Sequence, residues 1–366
     1  MDTFTPADHR FMARALTLAR RGLYTAHPNP RVGCVLVNDG RIVGEGWHRK
    51  TGEAHAEINA LDEAGKRARG TTAYVTLEPC SHHGKTPPCV EALIAAGVAE
   101  VVTAMVDPNS KVSGSGHKAL EDAGIAVRYG LMQAAASRIN AGFVSRMQKG
   151  RPLLRLKIAA SLDGRTAMAN GESQWITGEA ARNDVQLLRA QAGAVMVGIG
   201  TVIADDPALD VRRGDIHNDG MQPMRVVLDS KLRMPPSSRM LRLPGTTTVF
   251  CSDDAARDKL QTSGAGIEKV AAGERGVDLG AVMRRLAELE INEVLAEAGP
   301  TLAGSLLDSG LVDELVIYQA PHIMGSETRP MFVTPRLKRI ADKLSLRLTD
   351  VRKVGEDLKI TAVPSR

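Results

Sequence analysis

Short runs rich in Val, Ile and Thr alternate with amphipathic stretches of about ten residues along almost the whole chain, which leaves few architectures open. A strand, a helix and another strand in succession bury their apolar faces best when the helix lies on a sheet. The first helix is predicted over 8–22, where Phe11, Ala15, Leu18 and Ala19 share a face and Gly22 follows a basic last turn. PNPRVGCVLVNDGRIVGEGWH then changes the period to two, with Asn38-Asp39-Gly40 as a hairpin turn. A helix over 54–65, strand 73–77, helix 88–97, strand 101–106, helix 116–124 and strand 125–129 make a three-layer α/β unit, followed by a helix over 134–147.

QKGRP, residues 148–152, reads as a linker, so domains are expected over 1–147 and 153–366. A chain of 366 residues suits two domains. The second repeats the alternation: strand 153–160, helix 179–190, strands 194–198, 224–229 and 247–251, helix 278–289, strand 293–297 and helix 301–309. Two β-like runs, 344–354 and 357–363, close the chain around the turn GED. The halves share no repeat, so two different domains are expected.

The longest apolar runs, VGCVLV at 32–37 and AGAVMVGIG at 192–200, fall short of the ~18–20 residues a membrane span needs. The N-terminus has early acids and no apolar signal core, so a cytoplasmic protein without a membrane partner is expected. Four cysteines in this length make no disulfide framework, and Cys34 and Cys251, in apolar surroundings, read as small core residues. A net charge of +5 raises the question of nucleic acid, but the basic residues are scattered and aromatics are only 3%. A stacking platform needs aromatic faces, so an anionic small molecule is the better partner and no nucleic acid is expected.

Cys80 and Cys89 sit apart from that pattern, among polar turn-forming residues in EPCSHHGKTPPC. With His55 of HAEINALDEAG they supply three zinc ligands, and a catalytic zinc keeps its fourth position for water. Residues at i and i+2 do not share a helix face. Only a helix pointing its first turn end-on at the metal presents both His55 and Glu57, and its positive end favours thiolates. Glu57 is then free to act as acid and base toward a leaving amine. H-x-E followed by P-C and a second Cys is the pattern of zinc nucleobase deaminases. Here eight residues, not two, separate the cysteines, and they bring in His82, His83 and Lys85. Those three stand open as substrate contacts, solvated loop residues or rival ligands.

AHPNPRVGCVLV from Ala26, GEAHAEINAL from Gly52, TLEPCSHHGKTPPC from Thr76, LKIAASLDGRTA from Leu156 and EAGPTLAGSLL from Glu297 occur in order. Together they resemble the bifunctional deaminase–reductases of riboflavin biosynthesis over nearly the whole chain. The resemblance implies a cytidine-deaminase-like α/β/α domain followed by a dihydrofolate-reductase-like α/β domain. It implies deamination of 2,5-diamino-6-(5-phosphoribosylamino)pyrimidin-4(3H)-one, then reduction of the product's ribosyl group to ribityl by NADPH. By it, His55, Cys80 and Cys89 bind one zinc ion per deaminase domain and Glu57 shuttles the proton. Asn29 resembles the asparagine that holds the ring or ribose, and equally a turn residue ahead of a strand. A homodimer or higher oligomer is expected.

The second domain says less unaided. VGIGTVIADDP has glycines closing an apolar strand, but no third glycine and no acidic strand end at the spacing of a dinucleotide fingerprint. EAGPTLAGSLL is the better candidate, a turn into a helix whose free N–H groups suit pyrophosphate. The resemblance places Ala159, Trp175, Thr201, Asp205, Ser230 and the turn Gly299, Pro300, Thr301, Leu302, Ala303, Gly304 and Ser305 on NADPH. It places Ser173, Arg189, Leu209, Arg212 and Glu297 on substrate, the two arginines suiting a phosphate. Lys157 and Asp163 either touch the sugar or fix the turn. Two competitors differ in kind: a zinc deaminase of bases in RNA with an accessory binding domain, and a nucleotide-sensing module that has no use for Glu57.

Overall fold

The computed structural model describes residues 4–81, 87–110, 112–253 and 260–365. His82, His83 and Lys85 lie outside the described residues. The chain divides into two compact units, Met1–Gly150 and Arg151–Arg366.

The first unit is built on a five-stranded sheet. In chain order its elements are α1 (Pro6–Ala19), β1 (Gly33–Asn38), β2 (Arg41–Trp47), α2 (Ala56–Ala64), β3 (Thr72–Val75), α3 (Cys89–Ala96), β4 (Glu100–Thr103), α4 (Ser115–Asp122), β5 (Ala126–Tyr129), α5 (Gln133–Ile139) and α6 (Ala141–Lys149). Strand order is β2-β1-β3-β4-β5, with β1 antiparallel to both neighbours and β3, β4 and β5 parallel. Asp39 and Gly40 turn the hairpin with φ of 47° and 72°, the left-handed pair that a two-residue hairpin needs.

Two close approaches fix the layers. A Cβ on Gly33 would fall 2.1 Å from the Ala15 carbonyl oxygen of α1, and one on Gly46 would fall 2.2 Å from that of Ala56 in α2. Gly46 pairs with Cys34, the residue after Gly33, and neighbouring residues on a strand face opposite ways. The helices therefore cover opposite faces, giving α/β/α. Burying α1 also draws in Asp8, whose carboxylate takes the Tyr74 hydroxyl at 2.6 Å and Arg128 at 3.2 Å.

The helix expected over 134–147 is broken at Asn140. Its side chain clasps the Arg31 backbone, accepting from N–H at 2.7 Å and donating to C=O at 2.9 Å, so a tertiary contact interrupts a helical pattern. α6 then runs to Lys149 and stops at Gly150, in the left-handed region with φ 64°. Residues 148 and 149 thus belong to the helix, and only 150–152 connect α6 to the next strand.

The second unit has a nine-stranded sheet with order β11-β10-β9-β8-β14-β6-β15-β18-β17. Its elements are β6 (Leu153–Ser161), β7 (Arg165–Ala167), α7 (Glu179–Gln191), β8 (Ala194–Gly198), α8 (Ile199–Asp205), β9 (Met224–Leu228), β10 (Thr247–Cys251), β11 (Gly266–Lys269), β12 (Ala272–Gly273), β13 (Gly276–Val277), α9 (Leu279–Glu288), β14 (Glu293–Glu297), α10 (Pro300–Asp308), β15 (Glu314–Ala320), β16 (Arg329–Pro330), β17 (Leu346–Val354) and β18 (Asp357–Pro364). β11 through β15 of the sheet order run parallel, and β18 and β17 turn antiparallel to finish the edge. Seven parallel strands align their C-terminal ends along one rim, where α/β sheets bind ligands. Among the described residues, no helix is long and apolar enough to cross a membrane.

Candidate active sites

In the first unit two helix N-termini converge. His55 is the N-cap of α2, Glu57 lies in its first turn, and Cys89 opens α3. Cys80 follows β3 and receives the Cys89 backbone N–H at 3.3 Å. The nitrogen and sulfur donors of His55, Cys80 and Cys89 all lie within 4.8 Å of one another, and His55 Nδ1 is 3.2 Å from the Cys89 sulfur and 3.6 Å from that of Cys80. One imidazole nitrogen and two sulfurs around a common point fit zinc, and three protein ligands leave a position open. Glu57 stands outside that ligand set and is buried.

Electrostatics follow from that crowding. The hydrogen bond from Cys89 and the positive helix end draw the Cys80 thiol down to about 4, while pairing with Cys80 and burial push Cys89 up. Burial, reinforced by the Cys80 charge, raises Glu57 to about 7. A carboxyl poised near neutrality can both take and return a proton.

Asn29 reaches this site through His48, donating to its Nε2 at 3.1 Å. His48 Nδ1 lies 3.2 Å from the Ala54 carbonyl, so it carries the proton, and the His48 ring meets that of His55 edge-on at 5.3 Å. Nothing local in the sequence marks His48, and the same holds for Glu78, two residues before Cys80. The buried Glu78 carboxylate accepts backbone N–H groups of Asp107, Gly114, Gly116 and His117 at 2.8–3.4 Å, tying the Cys80 turn to the start of α4.

In the second unit a cleft of about 1430 Å³ opens along the strand C-termini. Ala159, Ser173, Trp175, Thr201, Asp205, Leu209 and Ser230 line it, as do Arg189, Arg212 and Glu297. Of the 299–305 turn, Gly299, Pro300, Thr301, Leu302 and Ser305 line it too. Ala303 and Gly304 do not: Ala303 is in the core, and a Cβ on Gly304 would fall 1.9 Å from the Val333 carbonyl oxygen. Those two glycine- and alanine-sized positions seat α10 against its neighbour. Gly299 faces the Thr201 side chain, a Cβ there falling 3.8 Å from its hydroxyl oxygen, so the glycine turns after β8 and β14 meet.

Arg189 differs most from expectation. Its guanidinium is spent inside the protein, on both Glu297 oxygens and on the Asp210 carbonyl at 3.0 Å. Arg212 is half-exposed and pairs with Asp210 at 2.6 Å, leaving it the freer candidate for a phosphate. Lys157 lines the cleft 3.9 Å from Glu297, and burial draws its pKa down. Asp163 fixes a turn, accepting the Met324 and Gly325 N–H groups at 3.1 and 2.8 Å.

Residues 5–105 match the cytidine and deoxycytidylate deaminase zinc-binding region, and residues 152–360 match the RibD C-terminal domain. The riboflavin biosynthesis protein RibD of Escherichia coli is 50% identical over 96% of this chain and 98% of its own. The chain belongs to the RibD family. A solved RibD from Acinetobacter baumannii superposes with a TM-score of 0.93 at 45% identity, covering 98% of this chain and 99% of that one. A Thermotoga maritima diaminohydroxyphosphoribosylaminopyrimidine deaminase/5-amino-6-(5-phosphoribosylamino)uracil reductase gives 0.85 at 33% identity over the same shares. As a RibD, the chain is a bifunctional enzyme of riboflavin biosynthesis, hydrolase and oxidoreductase in one, using zinc and a nicotinamide cofactor. A RibD C-terminal match over 152–360 sets aside the reading of that half as an RNA-binding accessory.

Proposed function

We propose that the first unit hydrolyses the exocyclic amine of 2,5-diamino-6-(5-phosphoribosylamino)pyrimidin-4(3H)-one. The second then reduces the ribosyl group of 5-amino-6-(5-phosphoribosylamino)uracil to ribityl with NADPH. The observation that carries the first half is the convergence of His55, Cys80 and Cys89 within 4.8 Å beside a buried Glu57. Those three residues would hold a single zinc ion, which would supply the Lewis acidity that makes water nucleophilic near neutral pH. Glu57 takes the proton from the attacking water and gives it to the departing amine, so that ammonia leaves and a ring carbonyl remains. Asn29, held by His48, orients the substrate.

In the second unit the Gly299 turn and the start of α10 would receive the cofactor pyrophosphate on their N–H groups. Ala159, Trp175, Thr201, Asp205 and Ser230 would complete that wall, Arg212 with Ser173 and Leu209 would meet the sugar phosphate, and the Arg189–Glu297 pair lines the same cleft. A nicotinamide held in this cleft would supply the hydride for the ribosyl carbon, with the accompanying proton drawn from solvent, which reaches the open cleft. Scattered charge and scarce aromatics support a small-molecule partner over nucleic acid, and a cytoplasmic homo-oligomer completes the reading.

The test is a coupled assay. Zinc-loaded protein releases ammonia from the diaminopyrimidine and oxidises NADPH only after that release. Protein that leaves the diaminopyrimidine untouched under those conditions refutes the proposal.

A further inference from the structure

Leu209 and Arg212 line the second-unit cleft, and three side chains hold the chain that joins them. Both peptide groups between Asp210 and Arg212 are engaged at oxygen and at nitrogen. Arg189 Nη1 donates to the Asp210 carbonyl at 3.0 Å. Gln222 brackets Val211, accepting its N–H at 2.8 Å and donating to its carbonyl at 3.0 Å. Gln186, on α7, accepts the Arg212 N–H on Oε1 at 2.8 Å. Leu209 stands in the left-handed region with φ of 53°, which a leucine keeps only where its surroundings over-determine it. Arg212 therefore projects from a fixed root, with no backbone left to order when a ligand arrives.

Gln186 does more than hold that root. It precedes Arg189 by three residues on α7, so the two side chains share a helix face. Gln186 is 7% exposed and lines the cleft. Its amide uses only the oxygen, and Nε2 has no hydrogen-bond partner among the described residues. The Arg212 N–H can only donate, which turns Oε1 toward the backbone and leaves the NH2 group for the cleft. A donor left unmatched at that depth is costly, and an anion in the cleft would match it. The two carboxylates joined to this cluster are already paired, Glu297 with Arg189 and Asp210 with Arg212 Nη1 at 2.6 Å. A sugar phosphate at Arg212 thus meets a guanidinium and a neutral amide, both of them donors to its oxygens.

We propose that Gln186 sets the selectivity of the reductase for a phosphorylated sugar, Oε1 fixing the Arg212 backbone and Nε2 donating to a phosphate oxygen. The assignment rests on the placement of the sugar phosphate at Arg212 proposed above. It makes Gln186 a binding and positioning residue, with no part in the transfer of hydride.

The experiment compares kcat/KM for 5-amino-6-(5-phosphoribosylamino)uracil with that for the same compound lacking its phosphate, in the wild type, Gln186→Met and Gln186→Glu. Gln186→Met fills the same space without donor or acceptor. Gln186→Glu keeps the acceptor for Arg212 and sets a negative charge before the phosphate. Calorimetric titration with ribose 5-phosphate reads the same contact without chemistry. Loss of a hydrogen bond to a charged group lowers the ratio of phosphorylated to dephosphorylated substrate by roughly 10- to 100-fold in Gln186→Met. The loss appears in KM more than in kcat, and Gln186→Glu falls at least as far. Affinity for ribose 5-phosphate drops by a similar factor in both variants. Either variant keeping the wild-type ratio, whether or not both rates fall together, overturns the role of Gln186. Should Gln186→Met fail to fold, the near-isosteric Gln186→Glu decides alone. A wild type that reduces both compounds equally well removes the phosphate from Arg212, and one that reduces neither removes the reductase reading itself.

Discussion

Arg189 closes on Glu297 with two parallel hydrogen bonds, Nε and Nη2 to the two carboxylate oxygens at 2.6 and 3.0 Å, joining α7 to the end of β14. Burial alone would raise the Glu297 pKa, but Arg189 and Lys157 hold it down to about 2 from an ordinary 4.5. A depressed carboxyl contributes stability that is complete above its unfolded pKa and lost as pH falls through its folded one. Between pH 4.5 and 2 the protein therefore loses on the order of 3 kcal/mol from this group. Glu297→Gln removes that part of the acid sensitivity and leaves the buried Arg189 charge without its counter-charge, at roughly 3–5 kcal/mol. Urea unfolding across that range, variant against wild type, checks both. Equal acid slopes for the two proteins would contradict the pairing energetics.

Glu57→Gln keeps the volume and the hydrogen bonding of the first-unit pocket and removes the titrating proton. Because the zinc donors are His55, Cys80 and Cys89, zinc content stays near the wild-type level by metal analysis. Ammonia release falls by at least ~10²-fold, the ordinary contribution of a positioned acid–base group. Reduction of separately supplied deaminated substrate continues, since Glu57 lies in the other unit. Loss of zinc with loss of ammonia release would make Glu57 a ligand.

Glu78 organises the Cys80 turn through four backbone N–H groups, and only a carboxylate accepts on both oxygens without opposing a donor. Glu78→Gln turns an NH2 toward two of those donors, costing about 1–3 kcal/mol for each group left unsatisfied. Displacement of Cys80 weakens zinc binding by about 10-fold, the scale of outer-sphere metal supports. Chelator competition measures it directly, and an unchanged zinc affinity would reduce Glu78 to a fold contact.

Much of this was legible beforehand, for identifiable reasons. Zinc chemistry restricts its ligands to few residue types, so His55, Cys80 and Cys89 showed themselves in one dimension, and Glu57 with them. Strands buried on both faces read as continuous apolar runs, which located β8, β10 and β14 at their observed bounds. β15 is likewise a continuous apolar run, ELVIYQA, between Gly310 and Pro321, with two acids, Asp313 and Glu314, at its start that blur its period. The break at Asn140 and the roles of Glu78 and His48 depend on partners 19 to 109 residues away, which periodicity does not report. The pairing of Arg189 with Glu297 spans 108 residues of chain, so the motifs that name both do not show that they bind each other. Ala303 and Gly304 share the Gly299–Ser305 motif in sequence, whereas the helical period carries them into the core.

The cleft wall depends on a contact from far along the chain. α7 begins at Gly178, which supplies no capping side chain of its own. Asp357, buried at the start of β18, accepts the Gly178 N–H at 2.8 Å and puts a carboxylate at the helix's positive end. The adjoining turn packs tightly: Gly355 has φ of 64°, and a Cβ there would fall 2.7 Å from the Ala180 Cβ. α7 carries Arg182, stacked 4.7 Å over the Trp175 ring, and Arg189, so a loosened start shifts residues that line the cleft. Asp357→Ala lowers stability by about 1–2 kcal/mol, the range of a lost N-cap, and raises the KM of the reductase substrate more than it lowers kcat. Asp357→Asn retains an acceptor and recovers most of both. Thermal unfolding, amide exchange at Gly178 and reductase kinetics together make the check. Faster exchange at Gly178 with unaltered KM would confine the cap to stability, and unaltered exchange would refute it.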